Sequence, residues 1–137
     1  MNFGLFFNSG IGMQPRRLYK ALCFVQGMYT LVTALWAIVD INSFMAITGP
    51  KTDTWLVKTV AVLLIPFAIC FLLGVRSNTD GFLIIVLGLT SAMGLIFIDF
   101  YYSMNGTISR IYQADGVLQA IFFLLWIYIL ARSYRNG

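Results

Sequence analysis

The chain has 137 residues, of which 60% are hydrophobic and only 10% are charged. Soluble domains carry about 25% charged residues, so this composition argues against an ordinary soluble domain, and its high apolar content excludes a disordered chain. The net charge is +4, but the Lys and Arg residues are scattered at the ends of apolar runs. That distribution does not form the basic patch of a nucleic-acid-binding protein, and we expect no nucleic-acid partner.

Histidine is absent from the chain, and all five acidic residues are aspartates. The imidazole sites that bind haem or metals, or that perform acid–base chemistry, therefore cannot form. Cys23 and Cys70 both lie in apolar runs and lack the CxxC spacing, which is typical of buried thiols rather than of a redox site. The sequence predicts no cofactor and no metal site.

Residues 1–15 are apolar and aromatic but are interrupted by glycines and a proline. No positive residue precedes the apolar part, as a signal peptide would require. We expect a flexible or interfacial leader here, with plain disorder as the alternative.

Four continuous apolar runs follow, and roughly 20 apolar residues are enough to span a bilayer. They predict helices over residues of about 18–39, 55–75, 82–102 and 115–131. Between the first two, residues 43–47 are expected to form a short interfacial turn, and Thr52, Asp53 or Thr54 to cap the second helix. The predicted fold is an all-α transmembrane four-helix bundle, a single membrane domain over residues 1–137.

The basic residues predict the orientation of this bundle. Four crossings place both termini on one side of the membrane. That side holds six basic residues, namely Arg16, Arg17, Lys20, Arg76, Arg132 and Arg135. The other side, called the outer side here, holds three, namely Lys51, Lys58 and Arg110. The positive-inside rule then predicts cytoplasmic termini in a multi-pass membrane protein.

Polar residues recur at helical spacing along the predicted helices. On the first helix they are Gln26, Tyr29, Thr33, Trp36 and Asp40. Polar groups that face lipid are costly, so we expect these stripes to face one another and to form a polar, aromatic pocket in the outer half. The residues predicted to bind a ligand there are Trp36, Asp40, Lys58, Asp99, Tyr102, Asp115 and Gln119.

Lys58 lies one turn inside the boundary at Trp55. A lone ammonium at that depth costs on the order of 2–3 kcal/mol, so we expect Asp40 or Asp99 to pair with it.

The acidic residues have two open interpretations. They either bind a polar group or transfer protons, or they serve as helix caps and ion pairs that fix the register of the helices. Asp115 lies where an N-cap belongs, whereas Asp40 and Asp99 lie at helix C-termini, where the dipole disfavours anions.

Three segments carry a resemblance to known proteins. They are residues 48–60 (TGPKTDTWLVKTV), 99–102 (DFYY) and 108–115 (ISRIYQAD). They resemble small uncharacterised four-helix integral membrane proteins of bacteria. More distantly, the layout is similar to DoxX-like proteins and to the superfamily of sterol isomerases and the sigma-2 receptor. These resemblances imply a four-helix membrane fold and, from the first of them, a multi-pass protein of a bacterial inner membrane. The histidine and glutamates of sterol isomerases are absent, so isomerase activity is not implied.

Three functions remain open from the sequence. The first is a binding or accessory protein for lipid or a small amphiphile, with membrane lipid, a second copy or another membrane protein as its partner. The second is a membrane enzyme that uses Asp40 or Asp99 for acid–base chemistry with Lys58 beside it. The third is a small proton-coupled exporter. It is disfavoured because the middle of the first helix holds Gln26, Tyr29 and Thr33 and no acid.

Overall fold

The computed structural model describes residues 13–76 and 81–135, with side chains from Arg16 onward. This part of the chain forms five α-helices, α1 (Met13–Val39), α2 (Ile41–Thr48), α3 (Thr54–Arg76), α4 (Gly81–Met104) and α5 (Ile111–Arg135). Helices α1, α3, α4 and α5 are each long and apolar enough to cross a membrane. The predicted four-span, all-α architecture is confirmed. The predicted leader, up to residue 12, lies outside the described residues.

Two of the spans begin earlier than the apolar runs suggest. Helix α1 begins at Met13 and includes Pro15, which is tolerated because N–H groups in a first helical turn have no intrahelical acceptor. Helix α5 begins at Ile111, and the preceding loop supports its first turn because Tyr112 N donates to Ser109 O at 3.1 Å. Both extensions add polar residues, which hydropathy alone assigns to loops.

A short helix, α2, replaces the predicted interfacial turn. Asp40 caps it, since Ser43 N donates to Asp40 Oδ1 at 3.1 Å. The indole of Trp36 donates to Ser43 Oγ at 2.6 Å and meets the Phe44 ring edge-on, which fastens α2 back onto α1. Gly49, with φ at +93°, ends the helix in a conformation that favours glycine.

The four spans associate as two pairs. Helix α1 packs along α3, and α4 packs along α5. The pairs meet mainly through α1 and α5, whereas α3 and α4 make few contacts with each other. Small residues allow the close approaches, as expected when apolar helices gain little by leaving lipid. Gly27 of α1 lies against Phe71 of α3, and Gly88 of α4 lies against Trp126 of α5.

The main core lies around Trp126, whose side chain is completely buried. Phe71 stacks on the indole at 6.1 Å between ring centroids, and Tyr19 meets it edge-on at 5.9 Å. In a second, smaller core, Phe44 of α2 packs against alanines of α1 and α3. The two cores lie toward opposite ends of α1, and a layer of polar side chains lies between them.

Candidate functional site

Two aspartates on neighbouring helices meet inside the bundle. Asp99 of α4 is only 3% exposed, and Asp115 of α5 is partly buried. The carboxyl group of Asp115 lies close enough to that of Asp99 for the two to interact electrostatically. Gly116 permits this approach, because a β-carbon added there would lie 3.3 Å from Asp99 Cβ and still closer to the ring of Phe100. Two acidic groups are therefore brought together within the membrane-spanning part of the chain.

Asp115 is positioned by two hydrogen-bond donors. Tyr29 Oη of α1 donates to Asp115 Oδ1 at 2.5 Å, and Gln119 Nε2 donates to the same oxygen at 3.4 Å. Tyr29 also meets the ring of Phe122 edge-on, at 6.3 Å between ring centroids. We call Tyr29, Asp99, Asp115 and Gln119 the aspartate cluster.

The aspartate cluster has more acceptors than donors. Asp99 Oδ2 and Gln119 Oε1 are both buried and have no hydrogen-bond partner among the described residues. Gln119 itself is only 2% exposed. A buried acceptor without a donor costs about 1–3 kcal/mol, so two of them in one cluster are unusual for a site that only holds helices together.

A second polar contact crosses the bundle nearer its middle. Trp126 Nε1 of α5 donates to Gln26 Oε1 of α1 at 2.7 Å, and both side chains are buried. The helical spacing of Gln26 and Tyr29 predicts that both face inward, and the structure confirms it. Neither was among the predicted ligand-binding residues, because the spacing alone does not identify their partners on α5.

Only three of the seven predicted site residues come together. Asp99, Asp115 and Gln119 belong to the aspartate cluster. Trp36 and Asp40 lie at the junction of α1 and α2, where they hydrogen-bond to Ser43. Tyr102 and Lys58 are exposed, and Tyr102 packs edge-on against Tyr101. Whether any of the seven binds a ligand remains a prediction.

The expected ion pair of Lys58 with Asp40 or Asp99 is not formed. Lys58 is exposed on α3, and within residues 13–76 and 81–135 it makes no hydrogen bond or ion pair. The reason is its position one turn from the start of α3. From there a lysine side chain can extend to the membrane–water interface and keep its ammonium hydrated without an acidic partner. Polar residues of α1, α4 and α5 therefore meet inside the bundle, whereas Lys58 of α3 lies outside this group.

The aspartates divide between the two open interpretations. Asp40 follows the C-terminus of α1, whose dipole disfavours an anion, but it also caps the N-terminus of α2, whose dipole favours one. The second effect offsets the first. Asp53 occupies the N-cap position of α3, where its carbonyl accepts from Leu56 N at 3.1 Å. Asp115 is not an N-cap, because α5 begins one turn earlier. Asp99 and Asp115 therefore have no helix-capping role.

A cleft of about 270 Å³ opens where α3 and α4 separate. Its walls are mostly apolar and include Phe67 and Phe71 of α3. Its lining also includes four polar residues near the middle of the spans, namely Gln26, Thr30, Thr90 and Ser91. At the outer end the lining includes Leu95 and Ile98, which lie within one turn of Asp99. A second groove, of about 350 Å³, follows the α4–α5 face and has an apolar lining.

Gly94 lines the cleft and leaves it open. A β-carbon added to Gly94 would meet no atom within 4 Å, in contrast to the crowded Gly88 two turns earlier. Gly94 is exposed, as are Phe67 and Ile98 at the same opening. The cleft is therefore accessible from the lipid-facing surface of the helices.

Comparison of the chain with protein-family models, with curated proteins and with solved structures gave no match. The four long apolar helices agree with the four-helix membrane fold that the resemblances imply, while membership of a particular family stays a prediction.

Among the described residues, no group of three or more Asp, Glu, Cys or His side chains could hold a metal ion. The composition, the four spans and their packing establish the chain as a multi-pass integral membrane protein.

Proposed function

We propose that this protein binds a lipid or a small amphiphile in the cleft between α3 and α4. The observation that carries the proposal is the combination of an opening toward lipid with four polar side chains on the walls. Binding sites for small molecules are mostly apolar and use a few polar groups to orient the ligand. The cleft has this composition.

The polar residues limit the kind of ligand. An apolar chain gains little by leaving the bilayer for an apolar cleft, because lipid tails are equally apolar. Selectivity must therefore come from hydrogen bonds to the four polar side chains of the cleft, near the middle of the spans. A largely apolar molecule with one or two hydroxyl or carbonyl groups fits these requirements better than a lipid with a charged head group.

Filling the cleft tests this function. Gly94→Leu adds a side chain where the added β-carbon meets no protein atom, so the variant is expected to fold and to block the cleft. Purified protein in detergent is incubated with a diazirine-bearing long-chain alcohol and illuminated, and labelled peptides are identified by mass spectrometry. We expect labelling at the cleft in the wild type and a several-fold loss in Gly94→Leu.

Met93→Leu is the matched control, since Met93 is exposed beside Gly94 but lines the other groove. It is expected to leave labelling of the cleft unchanged. Labelling spread evenly over all exposed helix faces, or unaffected by Gly94→Leu, would count against a specific binding site.

The enzyme alternative has lost its proposed acid–base partner, because Lys58 is exposed and Asp40 caps α2. An enzyme would have to rely on Asp99 with Asp115. The exporter alternative still lacks an acid in the middle of α1. No observation favours either over ligand binding.

We also propose that both termini lie in the cytoplasm of a bacterial cell. Alkaline phosphatase fused after Arg135 is expected to be inactive, because this enzyme folds only outside the cytoplasm, whereas a fusion at Gly106 in the α4–α5 loop is expected to be active. Green fluorescent protein at the same sites is expected to give the opposite pattern. The reverse result for both reporters would invert the proposed topology.

A further inference from the structure

The aspartate cluster contains carboxyl and amide oxygen atoms from three side chains, Asp99, Asp115 and Gln119. Asp99 Oδ2 and Gln119 Oε1 are buried without partners, and the Asp115 carboxyl group lies beside them. Oxygen-only surroundings suit hard cations such as Na⁺, Mg²⁺ and Ca²⁺ rather than transition metals. We infer that Asp99, Asp115 and Gln119 form a binding site for a small monovalent cation of the Na⁺ class.

The charge of the cluster favours a monovalent ion. Asp115 Oδ1 accepts hydrogen bonds from both Tyr29 and Gln119, which stabilise its negative charge. Asp99 Oδ2 accepts no hydrogen bond from the described residues. Asp99 is therefore the carboxyl group with less stabilisation from hydrogen bonds, and a single positive charge would offset its negative charge, whereas protein sites for Ca²⁺ commonly use more carboxylate ligands.

No lysine of the neighbouring loop supplies this positive charge. Lys51, which follows α2, directs its ammonium to the carbonyl oxygens of Thr48 and Gly49, both at 3.3 Å. It also lies over the rings of Phe44 and Tyr112. These contacts use the Lys51 ammonium away from the carboxyl groups.

The membrane strengthens the argument for a bound cation. An uncompensated carboxylate within a membrane-spanning helix is expensive, and such residues in membrane proteins commonly mark ion sites. A cation between Asp99 and Gln119 would satisfy both orphan oxygens at once. The sequence predicts no metal site because imidazole and paired thiol ligands are absent. The proposed site differs because its ligands are carboxylate and amide oxygens. It does not depend on the lipid-binding proposal.

The test is the thermal unfolding of the full chain in detergent. Unfolding is followed at constant ionic strength in NaCl, LiCl, KCl or choline chloride, with a separate CaCl₂ series. We expect a saturable rise in Tm with Na⁺ over choline, because a ligand that binds only the folded state stabilises it by mass action. Asp99→Asn and Gln119→Leu are expected to remove the Na⁺ response. Asp53→Asn, which changes an exposed aspartate, is expected to keep it.

Several results would overturn the inference. They are an equal Tm in Na⁺ and choline, a rise in Tm with Na⁺ that survives in Asp99→Asn, and a larger rise with Ca²⁺ than with Na⁺. A Tm that depends on pH but not on Na⁺ would also overturn it, because the occupant would then be a proton. If the two variants do not fold, binding of radioactive ²²Na⁺ to the wild type decides the matter. One ion per chain supports the site, and no binding overturns it.

Discussion

Replacing Gly88 with alanine is expected to destabilise the protein by about 1–3 kcal/mol, the usual cost of overpacking a core. A β-carbon at Gly88 would overlap the indole of Trp126, which is completely buried. The indole cannot move aside, because Gln26 binds its nitrogen and Phe71 stacks on its face. The measurement is reversible unfolding in mixed micelles, followed by circular dichroism.

Gly94→Ala is the matched control for Gly88→Ala. Both glycines lie in α4, so both substitutions gain the same intrinsic helix propensity, about 1 kcal/mol in water. Gly94 has open space around its added β-carbon, so its substitution is expected to leave stability unchanged or to raise it. Equal effects of the two substitutions would mean that α4 and α5 do not pack through Gly88.

Replacing Gln26 with leucine is expected to cost about 1–3 kcal/mol, because it leaves the buried indole N–H of Trp126 without an acceptor. Trp126→Phe removes the donor instead and leaves the Gln26 oxygen unpaired. In the double variant neither orphan remains, so its cost is expected to be smaller than the sum of the two single costs. The same unfolding assay measures all three variants.

The double-mutant cycle isolates the hydrogen bond from the lost packing volume of Trp126. Side-chain hydrogen bonds inside a membrane protein have shown coupling energies of about 0.6 kcal/mol on average, with a maximum near 1.7 kcal/mol. We expect a value in the upper part of this range, because the 2.7 Å bond is short and both partners are buried. Additive costs would contradict a direct bond between α1 and α5.

The spacing of polar residues predicts much of the site. Gln26 and Tyr29 on α1, with Asp115 and Gln119 on α5, recur at helical intervals, and the cost of exposing them to lipid turns them inward. The same argument was wrong for the pairing of Lys58. A long, flexible side chain near a helix end can reach water, and helical periodicity does not include this reach.

Asp40 illustrates a second limit of prediction from the sequence. Its place at the end of an apolar run makes it an anion at an unfavourable helix terminus. The prediction changes once residues 41–48 are seen to form α2, because Asp40 then caps a helix. Eight residues are too few for periodicity or length to predict a helix. Helix α2 is stabilised instead by the contacts that its Ser43 and Phe44 make with Trp36 of α1.

The amino-acid sequence by itself determined that this protein crosses the membrane four times and is helical. Apolar content and length are local properties, and every backbone polar group inside a bilayer must be satisfied within its own helix. Only the tertiary structure decided which helices pair, that α3 and α4 separate into a cleft, and that Asp99 meets Asp115. Those outcomes depend on how closely particular surfaces approach, as at Gly88 and Gly116, and such fit exists only between helices.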